Sequence, residues 1–130
     1  MGRRLLQSDR NATLLIDVLR SCVATRKFQL LDFVVMPDHV HLLITVEDEM
    51  TIEKAMQLVK GRFSYRLKKE HGFSGEVWQR GFSELRADDA KRLHAFRQYI
   101  AQNPVKARLA TSPDEYPYCF RYLASKKSRA

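Results

Sequence analysis

Two histidines separated by one residue, His39 and His41, are the side chains whose type and spacing most directly suggest chemistry. They stand in the run Asp38-His39-Val40-His41, and a β-strand places residues i and i+2 on the same face. Neutral imidazole is a common ligand of divalent metals, so the pair offers two adjacent coordination positions. The same spacing also arises by accident on half-exposed strands, and the pair alone does not decide between a metal site and an ordinary strand.

A tyrosine and an asparagine four residues apart, Tyr99 and Asn103, supply a second chemical pattern. Residues at this spacing share one face of an α-helix, so the phenol and the amide point the same way. A phenol with a pKa of about 10 is a weak nucleophile unless a metal or a base lies nearby. An amide oxygen would complete a metal shell begun by two histidines. The alternative is a tyrosine that lines the core with its hydroxyl at the surface, followed by an Asn-Pro helix stop.

Hydrophobic periodicity and turn residues predict six elements along the chain. They are helices at 11–23, 51–70 and 88–103 and strands at 28–36, 39–46 and 77–85. Ser8 or Asp9 is expected to cap the first helix, and Gly72 to close the second. Pro104 should end the third helix, because the residue before a proline avoids helical backbone. Pro37-Asp38 forms the turn of an antiparallel hairpin between the first two strands.

The order α, β, β, α, β, α predicts an α+β fold close to the ferredoxin-like βαββαβ sandwich, with an antiparallel sheet whose first strand is missing or truncated. In the complete motif that strand lies in the middle of the sheet. Residues 1–7 could supply a poor strand, a partner chain could complete the sheet, or the authentic start could lie upstream; we favour an incomplete N-terminus. A single domain is expected over 1–130, with a core at about 9–110 and an irregular basic tail at 111–130 over the surface.

The charge of the chain points to a polyanionic partner. Its 23 Lys and Arg against 15 Asp and Glu leave a net charge of +8 with neutral histidines, which favours a polyanion over an anionic membrane surface or a charge that serves only solubility. No apolar run reaches the roughly 18 residues that span a bilayer, and the arginine-bearing start is not a secretory signal. Cys22 and Cys119 lack the spacing of a disulfide framework, so we expect reduced thiols in a cytoplasmic protein.

Four motifs occur in order along most of the chain. They are MPDHVHLL at 36–43, VWQRGF at 77–82, YIAQNPVKA at 99–107 and YPY at 116–118. Together they resemble the single-tyrosine HUH (IS200-like) transposases, and specifically the branch of REP-associated tyrosine transposases. The likeness runs from about residue 31 to residue 118, and four ordered motifs are far more specific than any one of them.

The resemblance implies a ferredoxin-like enzyme that cuts single-stranded DNA by attack of a tyrosine on a backbone phosphate. By position, Tyr99 would be the nucleophile, leaving a 5′-phosphotyrosine link and a free 3′-hydroxyl. His39, His41 and Asn103 would hold a divalent ion, Mg²⁺ or Mn²⁺. The single-stranded DNA is expected to form hairpins, and a homodimer is compatible with the resemblance but not required by it.

Four further residues are predicted to contact nucleic acid. Gln79 and Arg80, flanked by Gly81, are the better positions for a base or phosphate contact, while Arg62 and Arg66 belong to the basic face of the second helix. Clustered lysine and arginine supply salt-dependent attraction to phosphates. A solvated helix face has the same composition, so this pattern is less specific than the four motifs.

One segment departs from the family pattern. After Gly81-Phe82 many relatives carry an aromatic residue or His, then Asp and a further basic residue, whereas this chain has Ser83-Glu84-Leu85. Glu84 is the only suitable substitute there. This departure and the missing strand favour an alternative function, a catalytically impaired or domesticated relative that binds structured single-stranded DNA or RNA without cleavage. A third function is a metal-dependent phosphodiesterase in which water attacks and Tyr99 is dispensable.

Overall fold

The computed structural model describes residues 5–47, 49–75, 77–78 and 90–120. Its elements are α1 (Asp9–Ala24), β1 (Gln29–Val35), β2 (Val40–Thr45), α2 (Ile52–His71) and α3 (Ala90–Lys106), with short 3₁₀ helices at Leu5–Gln7 and Pro113–Glu115. The predicted mixture of helices and antiparallel strands is confirmed. Val77 and Trp78, at the start of the predicted strand 77–85, are not in a strand, and residues 79–85 lie outside the described part of the chain.

The two strands form the predicted antiparallel hairpin. Val35 pairs with Val40 and Val34 with His41, and the Met36 N–H closes the turn by donating to the His39 carbonyl at 2.8 Å. Near the other end, Leu30 pairs with Ile44 while Asp32 pairs with Leu43. Leu31 is therefore an extra residue in β1, a β-bulge that lets the strand change which side chains it presents to each face.

Helices α1 and α2 cover one face of the hairpin. The Ser8 hydroxyl caps α1 by accepting a hydrogen bond from the Asn11 N–H at 3.2 Å. Of the two candidate caps, Ser8 and Asp9, the first is therefore the one used. Gly72 ends α2 in the left-handed region, with φ of 65°, also as predicted. The core under these helices joins residues at helical spacing on α2 to alternate residues of β1. Its α2 and β1 members are Ala55, Val59, Phe63, Leu67, Phe33 and Val35.

The opposite face of the hairpin is covered by α3 and by the segment that follows it. Val34 and Met36 point to this side because side chains alternate along a strand. They pack with Ile100, Tyr116 and Cys119 in a second buried cluster. The sheet is thus sandwiched between α1 and α2 on one side and α3 on the other.

Pro104 does not end α3, contrary to the prediction. The helix continues to Lys106 with Pro104 inside it. A proline at this point loses the bond from its own nitrogen to the Ile100 carbonyl, and its ring crowds that carbonyl. Its ring is among the least exposed side chains, below 2%, and its carbonyl still accepts from the Leu109 N–H at 2.8 Å. Burial of the ring outweighs the local preference.

The predicted surface tail is wrong for residues 116–119. The Val35 N–H donates to the Tyr118 carbonyl at 2.8 Å, and Cys119 forms an antiparallel bridge with Val34. The buried Tyr116 hydroxyl donates to the Val35 carbonyl. This segment therefore extends the hydrogen bonding of the sheet beyond β1. Residues 121–130 of the predicted tail lie outside the described part of the chain.

The first strand of the complete motif has no counterpart in the described N-terminal residues. Residues 5–7 form a 3₁₀ helix, and the Leu6 N–H donates to the Pro37 carbonyl in the hairpin turn at 2.8 Å. Within the described residues the sheet has two strands, while residues 1–4 lie outside the description. None of the described helices is long and apolar enough to cross a bilayer.

Gly61 lies inside α2 and Gly72 directly follows it, and replacing each by alanine should have opposite effects on stability. An added Cβ meets nothing within 4 Å at Gly61 or at Gly72, but only Gly72 has a positive φ. We expect Gly61→Ala to raise the free energy of unfolding by roughly 0.5–1 kcal/mol, because Gly61 lies inside the helix and alanine is more stable there than glycine. Gly72→Ala should lower it by roughly 1–2 kcal/mol, because alanine is strained in the left-handed region. Urea unfolding followed by circular dichroism measures both, and equal signs would contradict the described helix end.

Candidate functional site

The two histidines lie side by side at the start of β2. Their ring centres are 4.8 Å apart, with the planes at 82°. His41 is half-buried and pairs with Val34, whose side chain belongs to the cluster under α3. His41 therefore faces α3, and His39 stands one strand repeat before it at the exposed end of the sheet. The predicted adjacency of the two imidazoles is what the structure shows.

Tyr99 meets this pair from α3. Its ring centre is 5.3 Å from that of His41, in an edge-to-face arrangement at 77°. The side chain is 53% exposed, whereas the next residue, Ile100, is buried in the cluster on the sheet. Ile100 thus anchors the helix, and the phenol stands beside the imidazoles and open to solvent. The helix α3 therefore packs over the strand that carries the histidines. A shared site of Tyr99, His39 and His41 requires this packing.

Asn103 lies one turn after Tyr99 and is half-buried. Its Nδ2 donates to the Tyr99 carbonyl at 3.2 Å. The amide nitrogen is thus engaged with the helix backbone, and a metal-binding function would fall to the Oδ1 atom, since a neutral amide binds hard cations through oxygen. The function of Asn103 as a ligand stays a prediction.

Asp38 is a member of the site whose function the sequence reasoning missed. Its Oδ1 lies 2.7 Å from the Nδ1 of His39, whereas the sequence suggested only that Asp38 lies in the hairpin turn. A carboxylate that accepts from Nδ1–H leaves the Nε2 lone pair free and orients the ring. The signal was the acidic residue directly before the first histidine, but such a neighbour usually faces elsewhere, so the spacing alone did not indicate the contact.

The environment favours the neutral form of His41. Burial is the main cause that lowers its pKa, and the nearby charge of His39 lowers it further. Only a neutral imidazole has a free nitrogen lone pair for a metal ion or a proton.

The histidine geometry is compatible with a shared divalent ion. Two imidazoles bound at about 2.1 Å with a ligand angle near 90–109° have ring centres roughly 4.6–5.3 Å apart, and the observed separation is 4.8 Å. Within the described residues, no group of three or more His, Cys, Asp and Glu side chains is arranged to hold a metal. Among the described residues, a third protein ligand would therefore be of another type, such as the amide of Asn103.

Arg62 and Arg66 are not brought to this cluster. They lie on α2, which packs against the other face of the hairpin. The Arg66 guanidinium bonds to Asp17 through Nη1 and to Glu70 through Nε, both at 2.6 Å, and these bonds raise its pKa. The Nη1 of Arg62 lies 3.6 Å from the Cys22 sulfur. The other two predicted contacts, Gln79 and Arg80, lie outside the described residues.

Comparison with known proteins agrees with the resemblance seen in the motifs. The family model described as "Transposase IS200 like" matches residues 2–103. The ISDra2 transposase TnpA of Deinococcus radiodurans is 29% identical over 90 residues, which are 65% of this chain and 64% of that protein. A Haemophilus influenzae protein, named as a candidate REP-associated tyrosine transposase, is 30% identical over 102 residues, 70% of this chain and 57% of that protein. The alignments thus span less than two thirds of either relative.

The fold has a counterpart among solved structures. A REP-associated tyrosine transposase bound to a REP hairpin superposes with a TM-score of 0.78 at 20% sequence identity, covering 98% of this chain and 73% of that one. This likeness confirms the predicted α+β fold class.

The lowered pKa of His41 can be measured directly. We expect its imidazole to titrate below the ordinary value of about 6.5, since burial and the charge of His39 both oppose protonation. His39→Gln should raise the His41 pKa without restoring the ordinary value, because burial persists. The measurement is a pH titration of the imidazole Hε1 resonances by NMR. A His41 pKa at or above 6.5, or one unaffected by His39→Gln, would contradict this account.

Proposed function

This chain belongs to the IS200-like transposase family, and we propose that it cuts and rejoins single-stranded DNA with Tyr99 as the nucleophile. The observation that carries the proposal is the contact of Tyr99 with His41, which in turn lies against His39. A solvent-open phenol beside two imidazoles combines a nucleophile with metal-ligand chemistry on one surface. The fold and the family membership make a phosphodiester the natural substrate for this arrangement.

In the proposed reaction the phenolic oxygen of Tyr99 attacks a backbone phosphorus. The phenol proton is lost, an Oη–P bond forms, the bond from phosphorus to the 3′ oxygen breaks, and that oxygen takes up a proton. The product is a 5′-phosphotyrosine link and a free 3′-hydroxyl. Because the new link is again a phosphodiester, the reverse attack by a 3′-hydroxyl can join a different end without ATP. The exposure of Tyr99 allows a DNA strand to approach it.

His39, His41 and the amide oxygen of Asn103 would hold the divalent ion, with Mg²⁺ or Mn²⁺ as the proposed metals. When bound, such an ion supplies Lewis-acid stabilisation of the charge that develops on the phosphate. Asp38 orients His39 through the bond to Nδ1, and burial keeps His41 unprotonated. The chain's own contribution is thus an oriented His39 and a half-buried His41 next to the nucleophile.

The proposed partner is hairpin-forming single-stranded DNA. The net charge of +8 provides general attraction to a polyanion. The structural neighbour was solved with a REP hairpin, which supports the hairpin as the kind of substrate to test.

A second candidate is a relative that binds structured single-stranded DNA or RNA without cutting it. Two observations favour it. The segment Ser83-Glu84-Leu85 departs from the family pattern. Within the described residues, no group of three or more His, Cys, Asp and Glu side chains is arranged to hold a metal, so a third ligand drawn from them would be a neutral amide.

Substitution of the nucleophile tests the proposed chemistry. The intact protein with Mg²⁺ or Mn²⁺ should form a covalent adduct with hairpin-bearing single-stranded DNA, detected as a shifted band in denaturing gels. We expect Tyr99→Phe to reduce adduct formation by at least about a thousandfold, since the attacking oxygen is removed. Tyr65→Phe is the matched control, because Tyr65 is 62% exposed and lies on α2.

Three other results would each exclude Tyr99 as the nucleophile. An adduct that survives Tyr99→Phe would assign another nucleophile. Metal-dependent cleavage without an adduct, unchanged by Tyr99→Phe, would indicate attack by water. Salt-sensitive but metal-independent binding with no cleavage by the intact protein would favour the binding-only alternative.

The contact between Asp38 and His39 should influence metal affinity. We expect Asp38→Ala to weaken Mn²⁺ binding by roughly 10- to 100-fold, because the ring orientation and basicity of His39 are lost. Asp38→Asn keeps a neutral acceptor and should have an intermediate effect. Paramagnetic broadening of the imidazole resonances by Mn²⁺ measures the affinity without DNA. Asp17→Ala, which removes the same charge on α1, is the control, and an equal loss in both alanine variants would show a general charge effect instead.

A further inference from the structure

The position of Tyr99 depends on where α3 lies along the sheet. Buried Ile100 attaches the helix to the cluster of Val34 and Met36, but apolar packing is non-directional and leaves sliding of a helix weakly restrained. The contact of Tyr99 with His41 is an edge-to-face ring contact between a 53% exposed side chain and a half-buried one. A directional bond is needed to hold the hydroxyl at one place.

Such a bond joins α3 to the bulge in β1. The Nη2 of Arg97 donates to the Leu31 carbonyl at 3.1 Å, across 66 residues of sequence. Leu31 is the extra residue between the pairs of Leu30 with Ile44 and of Asp32 with Leu43. A bulge residue is left out of the regular ladder, so the carbonyl of Leu31 is available to a side chain from outside the sheet.

Arginine suits this contact for physical reasons. Its guanidinium always carries a charge and presents several N–H donors in a rigid plane, so the bond to a carbonyl keeps its direction. Arg97 precedes Tyr99 by two residues on the same helix. A helix held at Arg97 and packed at Ile100 is fixed on both sides of the tyrosine.

We propose that Arg97 is a positioning residue for Tyr99, which acts by tying α3 to the Leu31 bulge of β1. Its effect on catalysis rests on the proposed function, whereas its effect on geometry does not. The competing interpretation is that exposed Arg97, close to Tyr99, contacts a DNA phosphate directly. If Arg97 positions Tyr99, its replacement changes the surroundings of Tyr99 in the DNA-free protein. If Arg97 only contacts DNA, its replacement leaves the DNA-free protein unchanged there.

The first experiment measures geometry without DNA. The Tyr99 ring shifts the His41 imidazole resonances, and Tyr99→Leu gives their values without that ring. We expect Arg97→Ala to move the His41 resonances toward the Tyr99→Leu values, and Arg97→Lys, which keeps the charge and N–H donors without the planar guanidinium, to move them less. Arg20→Ala on α1 removes the same charge and should leave them in place. Unchanged His41 resonances in folded Arg97→Ala, or in Arg97→Gln if the alanine variant does not fold, overturn the proposal.

The second experiment measures the reaction with hairpin-bearing single-stranded DNA. We expect Arg97→Ala to lower the single-turnover rate of adduct formation by roughly 10- to 100-fold, as misplacement of a reacting group does. The DNA dissociation constant should stay unchanged, and Arg97→Lys should restore part of the rate. Weaker DNA binding with unchanged His41 resonances would instead assign a phosphate contact. Absence of adduct in the intact protein would refute the proposed function, while the His41 resonances would still decide the positioning.

Discussion

The alternation of side chains along β2 is the constraint on which the rest of this structure depends. Val40, Leu42 and Ile44 pack against the core that α1 and α2 share. His41 and Leu43 point the other way, toward α3. A slip of one residue in the pairing with β1 would exchange the two sets and place an imidazole in an apolar core. The burial that stabilises the hairpin therefore also determines which side the histidines face.

The two faces of the hairpin also differ in the charged and reactive side chains that they carry. Arg66 lies with α2 on the other side of the hairpin and is held by Asp17 and Glu70, so it adds little net positive charge to its surroundings. On the side of α3, burial lowers the pKa of His41 and so favours its neutral form, and its ring lies against that of Tyr99. The net charge of +8 describes the attraction of the whole chain for a polyanion and not the local field at Tyr99.

Elements whose signals are local were predicted well. Ser8 caps α1, and Gly72 closes α2 in the left-handed region, because caps depend on residues within one turn. The prediction that Pro104 ends α3 was wrong, because its neighbours in sequence do not indicate that its ring is buried. The part of the tail that carries Tyr116 was also wrong, because the Val35 carbonyl that accepts from its hydroxyl is 81 residues away.

The sequence by itself determined the chemical groups and the face on which each lies within its own element. The period of a strand placed His39 with His41, and the period of a helix placed Tyr99 with Asn103. Only the tertiary structure decided that these two faces meet, that Asp38 turns to His39, and that Arg97 reaches the bulge at Leu31. Local periodicity follows from backbone geometry alone. The approach of distant elements depends on packing, and on a one-residue bulge whose position no local pattern indicates.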